Sequence, residues 1–281
     1  MIWQTSRYAL DLAKPCVMGI VNVTPDSFFD GGQHASTKAA LQHCEKLLAE
    51  GAHVLDIGGE SSRPGALPLP LEEELARILP VISQAITMGV PVSVDTYKPQ
   101  VMQAVLDQGA DIINDIWALR QYGAAELVAR YPRCGVCLMH MHREPQTMQA
   151  RTMEGDVVPQ VLSFLMDRAA VLRDLGVGKE QIVIDPGIGF GKTGTQNFTL
   201  LERQRELLAA GYPILAGWSR KSSLAGATSM SLSSLATLDL QARMVPSVAA
   251  ALLAVERGAN IVRVHDVRET LQALAVWDAI Q

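Results

Sequence analysis

The chain has 281 residues, 48% of them hydrophobic and 19% charged, with a formal net charge of −5. That balance describes a folded chain with a large core and argues against disorder, and its acidity supplies no global field for nucleic acid or an anionic membrane. No apolar run approaches about 18 residues, the length of a spanning helix, and residues 1–15 lack the apolar stretch of a secretory signal, so a cytoplasmic enzyme is the expected class.

Residues 1–14 read as an N-terminal extension. Beyond it, apolar runs predict strands at 17–23, 54–57, 91–94, 112–113, 136–138, 182–184, 214–216 and 260–264. Between them, apolar residues at helical spacing predict helices at 37–50, 71–88, 98–108, 124–130, 157–175, 197–210, 246–257 and 267–280. Gly51, Gly89 and Gly109 stand where three of these helices should stop. Strict alternation of strand and helix calls for a parallel sheet with right-handed crossovers. Eight such units are the number that closes into a (β/α)8 TIM barrel, here a single domain over 1–281, with an open doubly wound sheet as the alternative. Residues 31–36 and 66–70 lengthen the first two strand-to-helix loops and are candidate covers. Residues 227–244 read as an insertion that is partly helical.

Each predicted strand gives way at its C-terminal end to polar, charged or glycine-rich residues. In a parallel barrel those ends share one face, where the active site lies. Asp95, Asn114 and Asp185 follow three different strands and suit the edge of a polar heterocycle bearing N–H donors, since each charge-assisted hydrogen bond contributes on the order of 1.5–3 kcal/mol. The competing role for each is an ion pair or a helix cap, Asp95 before the helix at 98 above all. Ser61, Ser62, Arg63, Arg263 and His265 form a candidate anion site for a phosphate or pyrophosphate group, against a reading of the two arginines as surface ion pairs. Ser219, Arg220, Lys221 and Ser222 follow a strand and open a helix, which favours an anion, or else form a solvated basic turn.

Other patterns fail on spacing. Cys134, Cys137, His140 and His142 resemble a zinc set, yet on a strand positions three apart face opposite sides. The G-I-G-F-G-K-T run over 187–193 lacks the first glycine of a P-loop, because Pro186 stands there, and Lys192 occupies the third glycine of a dinucleotide fingerprint. Its glycines let backbone approach a flat ligand or another loop. No nucleophile elbow is present, so the expected chemistry is positioning and electrostatics.

Eight motifs in order carry a family likeness: G-I-V-N-V-T-P-D-S-F over 19–28, D-I-G-G-E-S-S-R-P-G over 56–65, S-V-D-T-Y over 93–97, I-N-D-I over 113–116, M-H-M over 139–141, D-P-G-I-G-F over 185–190, S-R-K-S over 219–222 and R-V-H over 263–265. Together they resemble the dihydropteroate synthase family of pterin-binding barrels. The resemblance implies that para-aminobenzoate displaces pyrophosphate from (7,8-dihydropterin-6-yl)methyl diphosphate, with Mg²⁺ required. It implies that Asp95, Asn114, Asp185 and Lys221 hold the pterin with Met139 near its face. Asn22 would place the Mg²⁺–pyrophosphate, with Ser62, Arg63, Arg263 and His265 on the leaving group. Phe28, Pro64, Phe190 and Ser222 would form the aminobenzoate pocket. Asp95, Arg63 and Lys221 are the implied catalytic residues, acting on small molecules within a homodimer.

Three departures are mild. Ser62 stands where threonine is common, His142, Arg143 and Glu144 add charge after Met141, and Trp218 precedes Ser219. Two other readings are a pterin-binding paralogue without turnover and a methyltetrahydrofolate-dependent methyltransferase-like barrel. The first is opposed by the presence of Asn22, Asp26, Phe28, Ser62, Arg63 and Pro64. The second has no need for the arginine anion site.

Overall fold

The computed structural model describes residues 1–24, 32–61, 65–231 and 242–280. Two short strands, β1 (Ile2–Gln4) and β2 (Ala9–Asp11), precede β3 (Cys16–Asn22), α1 (Gly32–Ala49), β4 (Val54–Gly58), α2 (Leu71–Ala85), β5 (Val92–Asp95) and α3 (Pro99–Gln108). The chain continues through β6 (Ile112–Asp115), α4 (Ala124–Ala129), β7 (Gly135–Met139), α5 (Val157–Asp174), β8 (Ile182–Asp185) and α6 (Gly194–Glu202). Last come β9 (Leu215–Ala216), α7 (Ser222–Ser231), α8 (Met244–Glu256), β10 (Ile261–Val264) and α9 (Val267–Asp278).

Strands β3 to β10 form one parallel sheet in the order β8-β7-β6-β5-β4-β3-β10-β9. Its two ends meet where Ile184 bridges Ile214 and the Ile184 N–H donates to the Pro213 carbonyl at 3.0 Å. The sheet therefore curls into a barrel, as eight βα units require, and the open arrangement falls away.

Alternation along each strand sorts the core into two parts. Val21, Ile57, Val94, Ile113, Leu138 and Val262 face outward and pack with helix residues such as Leu47, Ile82 and Val105. Met18, Val54, Ile112, Cys137, Val183, Leu215 and Ile261 fill the lower barrel interior. Cys134 belongs to the outer set and Cys137 to the inner one, which separates them as the strand period demands. All four cysteines are free and buried, and burial pushes the Cys134 thiol up to about 12.

Helix ends follow local chemistry. Asp156 caps α5 by accepting from Val158 N at 3.1 Å, and Thr193 with Gln196 closes a capping box on α6. Gly109 ends α3 in the left-handed region at φ 103°. Two expectations need correction. Helix α1 starts at Gly32, so 32–36 is helix and not loop; residue 31 lies outside the described residues. The helix expected over 197–210 divides into α6 and a 3₁₀ turn, Gln204–Ala210. There Gln204 is drawn inward, its Nε2 donating to Ala254 O at 2.8 Å. The 227–244 insertion is partly helical as expected, its start lying within α7 and its last residue in α8, while 232–241 lies outside the described residues.

The N-terminal extension is not featureless. β1 and β2 pair as an antiparallel hairpin, with Trp3 opposite Leu10, and Trp3 is wholly buried against the lower interior residues. Its indole Nε1 donates to Gln181 O at 3.0 Å. Arg7 clamps the hairpin through a two-pronged pair to buried Asp111, with Nε to Oδ1 at 2.9 Å and Nη2 to Oδ2 at 2.6 Å. The hairpin plugs the floor of the barrel. Trp3→Ala is expected to cost about 3–5 kcal/mol of stability, as large buried aromatics do. Chemical denaturation checks the loss, and ligand affinity at the opposite face should not change.

Candidate active site

The same alternation that fills the barrel floor with apolar residues places polar ones one step higher. Two residues beyond Val54, Ile112, Val183 and Ile261 come Asp56, Asn114, Asp185 and Arg263, all on the inner face. Charges inside a barrel must be paired, because desolvation of an isolated ion costs several kcal/mol.

Arg263 supplies the pairing. Its Nε donates to Asp56 Oδ2 at 2.5 Å and its Nη2 to Asp95 Oδ2 at 2.8 Å, so one guanidinium spans carboxylates from β4 and β5. Asp56 is fully buried and also accepts from Ser93 Oγ at 2.6 Å and Asn114 Nδ2 at 3.2 Å. Burial pushes the Asp95 carboxyl up to about 7; Arg263 opposes the shift and the charge of Asp56 adds to it.

Across the mouth, Asp185 is buried and its Oδ1 accepts from Gly187 N at 2.7 Å. Burial raises its carboxyl above the usual range, against that hydrogen bond and the charges of Lys221, Lys192 and Arg263. Lys221 makes no salt bridge among the described residues; its ammonium stands 4.3 Å from the centre of the Phe190 ring. Loss of solvent lowers it to about 8, with Asp185 opposing. Met139 joins Ile116, Met141, Met148 and Phe190 in an apolar wall beside these charges. A cavity of about 260 Å³ adjoins Asp95 and is walled in part by Tyr97, Ile116 and Trp117.

The sequence-predicted residues fall into three groups. Asp95, Asn114 and Arg263 form one bonded network, and Asp185, Lys221 and Phe190 meet around the β8 loop, beside Met139. Asn22 ends β3 half-buried, His265 follows β10 with its Nδ1 2.8 Å from Ser219 Oγ, and Ser222 opens α7 exposed. Phe28, Ser62, Arg63 and Pro64 lie outside the described residues. Within the S-R-K-S run, Arg220 turns aside at φ 58° into an ion pair with Asp266 at 2.8 Å, which leaves Lys221 at the site.

Two residues escaped the sequence reading. Asp56 sits inside an apolar run, and a carboxylate at an inward strand position was itself the available signal. Lys192, only 2% exposed, is the penultimate residue of the glycine run. Among the described residues no group of three or more histidine, cysteine or carboxylate side chains could hold a metal. The Asn22 amide oxygen is a hard neutral donor, which fits a Mg²⁺ ion that keeps most of its shell as water and phosphate oxygen.

Residues 18–265 match the pterin binding enzyme family. A dihydropteroate synthase from Neisseria meningitidis serogroup C is 48% identical over 99% of this chain and 97% of its own length. A structure of the Xanthomonas albilineans dihydropteroate synthase with 4-aminobenzoic acid has a TM-score of 0.89 at 47% identity, covering 97% of this chain and 95% of that one. The Burkholderia cenocepacia enzyme complexed with 7,8-dihydropteroate has a TM-score of 0.87 at 48% identity, covering 99% and 96%. The chain belongs to the pterin binding enzyme family and, within it, to the dihydropteroate synthases.

Asp56→Ala would leave Arg263 with one carboxylate and strand the Ser93 and Asn114 donors. Removal of one partner from a buried ionic network costs about 3 kcal/mol or more. Urea denaturation of the variant is expected to show that loss.

Proposed function

We propose that this chain joins para-aminobenzoate to (7,8-dihydropterin-6-yl)methyl diphosphate, forming 7,8-dihydropteroate and releasing pyrophosphate. One observation carries the reading: Asp95, Asn114 and Asp185 from three strands meet the cations Arg263 and Lys221 at one barrel mouth. Asp185 keeps Oδ1 on Gly187 and turns Oδ2 toward the N–H donors of the pterin, aided by the Asn114 amide and Lys221. Met139 covers a face of the ring. Arg263 uses Nε and Nη2 on Asp56 and Asp95, which leaves Nη1 for an incoming diphosphate oxygen, shared with His265, Ser62 and Arg63. Phe28, Pro64 and Phe190 enclose the aminobenzoate ring, and Ser222 takes its carboxylate.

The reaction needs no protein nucleophile. The C–O bond to the diphosphate breaks and its electron pair leaves with the diphosphate oxygen. The methylene carbon becomes a cation conjugated with the electron-rich pterin, and the aniline nitrogen donates its lone pair to close the C–N bond, losing its proton to solvent. Asp95 lies fixed by Arg263 where positive charge grows, an electrostatic stabilisation already organised before reaction. Asn22 would hold Mg²⁺ on the diphosphate, where the ion neutralises charge on the leaving group. We place the enzyme in the cytoplasm as a homodimer; exposed apolar side chains on α8 and α9, Val245, Leu253 and Val276, support such pairing.

Pyrophosphate release from the dihydropterin diphosphate, with Mg²⁺ and with or without para-aminobenzoate, tests the reading. Release coupled to dihydropteroate formation is expected. A bound pterin without release would identify a silent pterin-binding barrel, and absent binding would overturn the assignment.

The raised Asp95 carboxyl sets a pH dependence. Only the ionised form stabilises the developing cation, so kcat/KM should rise with pH, by about tenfold per unit below the transition, and level above about 7. Asp95→Asn should flatten that limb; an unchanged limb in the variant would assign it to another group.

A further inference from the structure

We propose that Lys192 is a positioning residue for the pterin site: its buried ammonium gathers the loop between β8 and α6 onto the end of β7 and so fixes Asp185 and Phe190. Among the described residues the lysine makes no salt bridge to a carboxylate. Its Nζ lies 2.9 Å from His140 Nδ1, 2.9 Å from Gly187 O and 3.1 Å from Phe190 O, with His140 O farther away at 3.4 Å. Burial lowers the Lys192 amine to about 7, with the charge of Asp185 opposing, and in its ammonium form the three near acceptors match its three N–H donors. An accepting Nδ1 requires neutral His140 with its proton on Nε2, and burial together with the Lys192 charge holds that ring down to about 2. The imidazole is itself fixed edge-on to Phe164, ring centres 4.9 Å apart.

The loop needs such a donor because of its backbone. Gly187, Gly189 and Gly191 all have positive φ, at 67°, 83° and 69°. The loop presses so closely on β7 that a Cβ on Gly187 would stand 1.8 Å from His140 O, and one on Gly191 2.6 Å from His142 O. Carbonyls of Gly187 and Phe190 are thereby turned into the interior, where an acceptor without a partner is costly. Each already accepts one backbone N–H, Phe190 N on Gly187 O at 3.1 Å and His142 N on Phe190 O at 3.5 Å, and Lys192 adds a second donor to both at once.

The consequence reaches the mouth through two short links. Gly187 N is the donor that orients Asp185, and Phe190 is the ring on which Lys221 rests. Gln149 Nε2 to Gly189 O at 2.7 Å and Met153 N to Gly191 O at 2.9 Å brace the loop's outer side, while Lys192 braces it from within.

The proposal rests on the pterin-site reading, and calorimetric binding of the dihydropterin diphosphate to the full chain tests it. Lys192→Met keeps the stem and removes the donors. At a temperature where circular dichroism shows it folded, its affinity is expected to fall about tenfold, the equivalent of one good hydrogen bond, with the loss in turnover appearing in KM more than in kcat. If Lys192→Met does not fold, Lys192→Gln, which retains two N–H donors, carries the same measurement. The decisive comparison is with Asp185→Asn: a lysine acting through Asp185 adds little to that loss in the double variant, because coupled residues are not additive. Wild-type affinity in the Lys192 variant, or losses that multiply in the double variant, would overturn the role of Lys192. Failure of the unaltered chain to bind would overturn the pterin site itself, and the two failures are therefore distinct.

Discussion

A guanidinium shared between two carboxylates is the constraint on which the mouth of this barrel depends. Asp56 is wholly buried, and Arg263 comes from the far end of the chain to meet it. Without that charge, Asp56 and Asp95 would stand as like charges two register positions apart on adjacent strands, inside a low-dielectric interior. The pairing spans 207 positions of sequence, so closing the ring of strands and neutralising the site are one event. An ionic network of this kind stabilises little by itself. Its value lies in holding Asp95 in a single orientation and still open to tuning by a cationic neighbour.

The rest of the site is built by backbone packed on backbone. The β8 loop lies on the end of β7 and is closed by Lys192 beneath and by Gln149 and Met153 above. Asp185 takes its orientation from an amide of that loop, and Lys221 rests on its aromatic ring. Polar groups on one half of the mouth are thus held by side chains, and on the other half by main chain.

Much of this was legible in the primary structure, for a physical reason. Parallel strands buried on both faces must be apolar, so a strand's end is marked by its first polar residue, and Asp95, Asn114 and Asp185 each stood at such a mark. The period of two separated Cys134 from Cys137 and set core filling above the zinc reading before any coordinate was needed. What escaped depended on partners distant in sequence. The hairpin of β1 and β2 has strands of three residues each and is stable only against the barrel floor, through Trp3 and the Arg7–Asp111 pair. Asp56 lay within an apolar run, and its importance appears only when Arg263, Ser93 and Asn114 converge on it. Lys192 could be read as a failed nucleotide motif but not as a donor, because its acceptors are carbonyls turned inward by glycines.

The close approach at Gly187 and Gly191 also limits how this surface can change by mutation. A side chain at either position would collide with main-chain atoms of residues 140 and 142, which cannot swing aside as a side-chain tip can. Selection by an inhibitor occupying this mouth would therefore find few escape routes along that stretch. Ser222 stands exposed at the first turn of α7. Adaptive variation at the site should gather on the rim and leave the backbone-packed half unaltered.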